Sequence, residues 1–103
     1  MDMNEITAKA RRELVRWQLL VCLHISAPQG MRLPALKPII AATYADVTEA
    51  ELQRNLDYLH ERELIHMHTD PLGGVVAKLD RFGFDLVEYT VECDPGIARP
   101  SKA

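Results

Sequence analysis

The stretch "ELIHMHTDPLGGVVAKLD", residues 63–80, limits what this chain can fold into more than any other. Ile65 and Met67 alternate with His66 and His68, so two apolar and two polar side chains point to opposite sides of an extended segment. "DPLGG" then turns the chain and "VVAKL" returns along it. An isolated two-stranded ribbon is at best marginally stable, so this one must lean on helices supplied by the rest of the chain.

The clearest of those helices is "VTEAELQRNLDYLHERELI", which leads straight into the ribbon. Thr48 followed three residues later by Glu51 makes a capping box, expected to satisfy N–H groups at both ends of the first turn. Leu52, Leu56, Leu59 and Glu63 fall on one side, turning three leucines to the core, with Ala50, Arg54, Asp57 and Glu61 opposite.

Nearer the start, Ile6, Ala10, Leu14, Trp17 and Val21 share one face of a first helix, and Leu20, Leu23 and Ile25 widen that stripe at its end. The pattern predicts a surface helix that becomes deeply buried in its second half. Pro28 and Gly30 in "SAPQG" stop it. "MRLP" is expected to be a strand of two or three residues beside the ribbon, and "ALKPIIAATYA" a second helix with Pro34 at its start. Pro38 leaves two alternatives, a helix that begins near it or one kinked by it. "DRFGFDLVEY" reads as a short final helix capped by Asp80, with Phe82, Leu86 and Tyr89 on one face. The tail "TVECDPGIARPSKA" is expected to be irregular, with Ile97 its one bulky apolar anchor.

Helix, short strand, helix, helix, strand, strand, helix is the order of an α+β winged helix-turn-helix: a three-helix core, a short β-strand plus a β-hairpin wing, and a C-terminal helix. Residues 1–90 are assigned to that domain and 91–103 to the tail. A chain of 103 residues suits one domain, which at that size can hide roughly two-thirds of its unfolded surface.

Two segments carry a family likeness. "ELQRNLDYLHERELI" resembles the third helix of winged-helix regulators, in which a leucine ladder exits into the wing. "AKLDRFGFDLVE" is similar to the segment after the wing, which usually runs Leu-Thr-x-x-Gly and then a helix; Leu79, Gly83, Asp85, Leu86, Val87 and Glu88 match. Asp80 stands where Thr is common and caps equally well. "DLVEYTVECDPGIARP" resembles the end of a family of small winged-helix proteins of Mu-like phages and prophages, sometimes labelled regulator-like. The likeness implies a bacterial, cytoplasmic setting and a fold that often binds double-stranded DNA.

In DNA-binding members of the superfamily the outer face of the third helix enters the major groove and the wing touches adjacent phosphates. Carried onto this chain, the contacts are Thr48, Ala50, Gln53, Arg54 and Asp57, with Arg54 suited to guanine and Gln53 to adenine. Lys78 on the wing, and Arg32 and Lys37 near the second helix, would meet phosphates. Local charge opposes this expectation. Between residues 48 and 63 the acids Glu49, Glu51, Asp57, Glu61 and Glu63 outnumber Arg54 and Arg62, and the chain has a net charge of −3 and a pI of about 5.7.

The competing expectation is a protein–protein interaction module, an adaptor in phage assembly or packaging that keeps the scaffold without reading DNA. A homodimer is a further possibility, through a final helix whose Phe82, Phe84 and Tyr89 lie on more than one side. The first helix holds the densest basic stretch, with Lys9, Arg12 and Arg16 on one stripe that could meet phosphates, an acidic partner or the acidic third helix of another copy.

His60, His66 and His68 lie close in sequence, but a closed metal site needs about four ligands, and only Asp70 joins them. They are read as solvent-facing, with no metal and no cofactor. No Gly-rich phosphate loop follows a strand and no Ser or Cys has an evident His base, so no enzyme is expected. Cys22 and Cys93 have no paired spacing and read as free thiols, Cys22 in the core. "MDMNEITAKARR" lacks the order of a signal peptide, and "WQLLVCLHI" is too short to cross a bilayer.

Overall fold

The first helix, α1 (Met3–Ile25), is apolar on both its faces in its second half, and the face turned inward is not the one its longest stripe suggests. In the computed structural model, which describes residues 2–102, Val15, Leu19, Leu20 and Leu23 are fully buried. The stripe Leu14, Trp17 and Val21 is only half-buried, and Ile6 and Ile25 are exposed. The physical reason is density. Spacings of four bring three aliphatic side chains, Val15, Leu19 and Leu23, over two turns, whereas the predicted stripe starts on turns that project beyond the body, where residues 2–10 are all exposed.

After α1 come β1 (Met31–Arg32), α2 (Leu33–Ala41), α3 (Glu49–Glu61), β2 (Ile65–Thr69), β3 (Val75–Leu79) and α4 (Arg81–Val87), making an α+β domain. The three strands form an antiparallel sheet in the order β1, β3, β2. Met31 pairs with Ala77, and β2 pairs with β3 from Ile65 opposite Leu79 to Thr69 opposite Val75. The short strand expected beside the hairpin is therefore present. Alternation turns Ile65, Ala77 and Leu79 into the core and leaves His66 and His68 exposed. The ribbon leans on α1 and α3, as its marginal stability alone requires.

α2 starts at Leu33 with Pro34 in its first turn and runs through Pro38 without a break, which removes the alternative of a start near Pro38. It buries Leu36 and Ile40.

α3 begins at Thr48, whose hydroxyl accepts from the Glu51 N–H at 3.1 Å. Only that half of the capping box forms, because the Glu51 carboxylate is taken by Arg11 of α1. Leu52, Leu56 and Leu59 face the core as expected, each adding about 1.5–3 kcal/mol of burial. Glu63 does not extend that face. The helix closes at Glu61, and Glu63 takes a left-handed φ of 62° to turn the chain into β2. The Leu64 N–H bonds back to the Leu59 carbonyl and the Glu63 N–H to the His60 carbonyl, a Schellman closure.

α4, capped by Asp80 accepting from the Arg81 N–H at 2.8 Å, ends in the same way with Tyr89 at a φ of 61°. Its inward face is Gly83 and Leu86 rather than Phe82, Leu86 and Tyr89. Gly83 sits so close to the Leu64 carbonyl that a Cβ would collide with it, which draws this side of the helix inward and leaves Phe82 46% exposed.

Residues 91–102 form no helix or strand. They are nonetheless tied down. The Ala98 N–H bonds the Glu13 carbonyl at 3.1 Å, Tyr89 donates its hydroxyl to the Pro100 carbonyl at 2.6 Å, Arg99 Nη1 donates to the Leu86 and Val91 carbonyls, and Ile97 is buried.

Candidate nucleic-acid interface

α3 turns outward the residues that its amphipathic pattern leaves over: Ala50, Arg54, Asp57, His60 and Glu61 are all exposed. Of the contacts expected on this helix, Thr48 is engaged as the cap. Gln53 is half-buried, and its amide donates to the Asp57 carboxylate one turn on at 2.9 Å, so these two side chains satisfy each other. Arg54 makes no hydrogen bond or ion pair among the described residues.

The remaining expected contacts lie on other elements, Arg32 on β1, Lys37 on α2 and Lys78 on β3. Arg32 forms an ion pair with Asp70 at the tip of the hairpin, where Asp70 also accepts from the Leu72 and Gly74 N–H groups at 2.9 and 3.0 Å. Burial works to raise the Asp70 carboxyl, but those two N–H groups and the Arg32 charge outweigh it and hold it below its ordinary range. Lys78 is half-buried on β3 opposite His66, and Lys37 is exposed on α2. The sheet thus offers phosphates one half-buried lysine and an arginine already paired.

Positive charge gathers at the edge of α3. A groove of about 370 Å³ between α1 and α3 is lined by Ala8, Arg11, Arg12, Arg16, Glu51, Arg54 and Asn55. Arg11 is spoken for: its Nε and Nη2 form a fork on the two Glu51 carboxylate oxygens, both at 2.8 Å, and Nη1 reaches Asp46 at 2.9 Å. That bond to Glu51, aided by Asp46 and opposed by burial, holds the Arg11 guanidinium firmly charged. Its plane also lies 4.5 Å over the Tyr44 ring.

Arg16 is clamped differently. Its Nε donates to Asn55 Oδ1 and its Nη1 to the Gly96 carbonyl, both at 3.0 Å, and its guanidinium stacks 3.5 Å from the centre of the Tyr58 ring. Burial lowers its affinity for a proton, Tyr58 and Glu13 work the other way, and the like charges of Arg12 and Arg62 add to the lowering. Asn55 is the buried polar residue of the core, 3% exposed, with its amide N–H₂ donating to the Glu51 carbonyl at 3.1 Å. It lies outside the contacts expected from the sequence, although a polar residue inside the ladder Leu52, Leu56, Leu59 is itself a sign of a buried hydrogen-bonded network.

A second surface feature is apolar. Along the outer side of α1, Leu14, Trp17, Val21, Cys22 and Ile25 line a groove of about 500 Å³ whose far wall is Ile39 of α2. Trp17 meets Tyr89 edge to face at 6.4 Å, and burial pushes the Cys22 thiol above its ordinary range. The His66 and His68 rings stack at 6.0 Å on the exposed side of β2, and among the described residues no group of three or more His, Cys, Asp or Glu is placed to hold a metal ion. Among the same residues no helix is long and apolar enough to cross a membrane.

No family model, curated protein or solved structure matches this chain.

Proposed function

We propose that the chain is a winged helix-turn-helix domain that docks α3 on duplex DNA, as a small transcriptional regulator of phage or prophage type. The observation that carries this reading is the uncovered outer face of α3, with Arg54 at its centre and unpaired, on a helix that closes directly into the β2–β3 hairpin. The likeness of residues 86–100 to small winged-helix proteins of Mu-like phages supports it. Arg54 is the base-reading residue in this account, Ala50 allows close approach, and Lys37 and Lys78 meet flanking phosphates. Gln53 must exchange its bond to Asp57 for one to a base.

The test is a chemical-shift titration of labelled protein with mixed-sequence duplex DNA at about 50 mM salt, where phosphate contacts are strongest. Shifts at Ala50, Arg54 and Asp57 that fade as salt rises support the reading. Arg54→Ala should then lose about 1–3 kcal/mol of discrimination at one base position. An α3 face that does not respond at all sinks it.

One observation favours a second reading, a protein-interaction module. Apolar side chains on the outer side of α1 run from Met3 and Ile6 on its projecting turns to Ile25, 78% exposed, a continuous stripe that a partner would cover. Sedimentation of the protein and of Val21→Glu separates self-association from a monomer, since a charge on that stripe disrupts any pairing built on it.

A further inference from the structure

The α1–α3 groove has an electrostatic asymmetry that its internal contacts leave standing. Four guanidinium groups line it against one carboxylate, in a chain whose net charge is −3. That carboxylate, Glu51, is fully taken by Arg11. Arg12 and Arg54 stand exposed at the rim, one from each helix, and make no hydrogen bond or ion pair among the described residues. At the base, Arg16 is held rigid by Asn55, Gly96 and Tyr58, with Nη2 outside both of its hydrogen bonds.

We propose that this groove is an anion site that holds a phosphate group between Arg12, Arg16 and Arg54. Two uncommitted forks, of Arg12 and Arg54, and the Nη2 of a third guanidinium, arriving from two helices, suit a tetrahedral group with oxygens on several sides, whereas one fork suffices for a planar carboxylate. Arg16 is already ordered by its clamp, so binding costs little further side-chain entropy there, and Arg12 and Arg54 close over the ligand from the rim. The anion relieves the mutual repulsion of the guanidiniums. Two sources share this chemistry, a backbone phosphodiester of nucleic acid and a free phosphate or pyrophosphate. The site does not depend on α3 reading bases, and on a duplex the two roles of Arg54 exclude each other: a backbone phosphate held here takes the guanidinium that would otherwise read a base.

The experiment follows the arginine Nε–Hε signals of the full labelled chain at about 50 mM salt, first with inorganic pyrophosphate and then with mixed-sequence duplex. Pyrophosphate should shift Arg12, Arg16 and Arg54 saturably while Arg32 and Arg81 stay still. Arg12→Ala and Arg54→Ala, both at exposed positions, should each weaken binding about tenfold, and Arg81→Ala, at an exposed position of α4 outside the groove, should leave it unchanged. Arg16 is kept intact because replacing it would release the tail.

No saturation by about 10 mM pyrophosphate overturns the proposal, as does a response spread evenly over every basic residue. A glutamate-rich peptide that binds where pyrophosphate does not also overturns it, because the groove would then take carboxylates. Duplex that moves the same arginines and is displaced by pyrophosphate identifies a backbone phosphate as the ligand. Pyrophosphate binding with no response to duplex leaves the groove standing, identifies a small phosphate ligand, and sinks the duplex reading of α3 alone.

Discussion

α3 has one apolar face, and α1, which packs against it, has two. On α3 the leucines at 52, 56 and 59 leave nothing apolar to compete for the core, so the helix has a single way to lie. On α1 the side bearing Val15, Leu19, Leu20 and Leu23 is buried, while Leu14, Trp17 and Val21 form a second stripe that α2, Tyr89 and the tail shield in part. The difference teaches that amphipathicity orients a helix only when its other face is polar. Where both faces are apolar, the partners decide which is buried, and the face left over is a surface with uncommitted binding capacity.

The largest expected effect tests that difference directly. Leu59→Ala and Leu19→Ala should each cost about 2–5 kcal/mol in urea unfolding, and Val21→Ala, on the outer stripe of α1, less than about 1 kcal/mol. If Val21→Ala costs as much as Leu19→Ala, the comparison breaks, because the outer stripe must then be covered in solution. A midpoint that rises with protein concentration would show that the cover is a second copy.

The next effect sharpens the comparison at the tail, which is held by both helices. Gly96 takes a φ of 113° beside the Tyr58 hydroxyl, where a Cβ would collide, and its carbonyl accepts from Arg16. Gly96→Ala should cost about 1–3 kcal/mol and speed hydrogen exchange at the Ala98 N–H while the amides of Leu52 and Leu56 keep their rank. Exchange that rises uniformly would mean the tail is part of the core rather than a strap across it.

The ends of α3 give smaller effects of opposite sign. Thr48→Ala should lose about 1 kcal/mol with the cap. Glu63→Gly should gain about 0.5–1 kcal/mol by relieving the left-handed φ that a Schellman closure asks of this position. Thermal unfolding of the two variants checks both, and a loss on Glu63→Gly would mean that the glutamate side chain contributes more than its backbone strain costs.

These particulars show what the sequence makes legible. The hairpin, its partner strand, the capped start of α3 and its leucine ladder were readable because each depends on residues close together and on one unopposed apolar pattern. The inward side of α1 was not, since two stripes competed and the choice was made by α3 and β3, distant in sequence. The face of α4 was missed because a glycine, which adds nothing to an apolar count, sets its closest approach to Leu64. At the candidate interface, exposure of Ala50, Arg54 and Asp57 followed from helical period alone. The engagement of Arg32 by Asp70, and the meeting of Arg12 and Arg16 with Arg54, required the tertiary fold.

The smallest expected effect concerns the sheet side of the comparison, at Asp70. Its carboxyl is depressed in the folded chain, so between its folded and unfolded values the native state binds fewer protons than the unfolded one, and stability rises with pH there. The contribution is fully present above the unfolded value of about 3.9 and is lost as pH falls through the lower folded value. Following the amide signals of Leu72 and Gly74, which donate to this carboxylate, from about pH 5 to 2 should give a midpoint below about 3.9, and Arg32→Ala should raise it. An unchanged midpoint in Arg32→Ala would mean that the turn N–H groups alone hold the charge. Arg32 would then be released to meet a phosphate beside Lys78, and the hairpin would regain the contact that its pairing with Asp70 now removes.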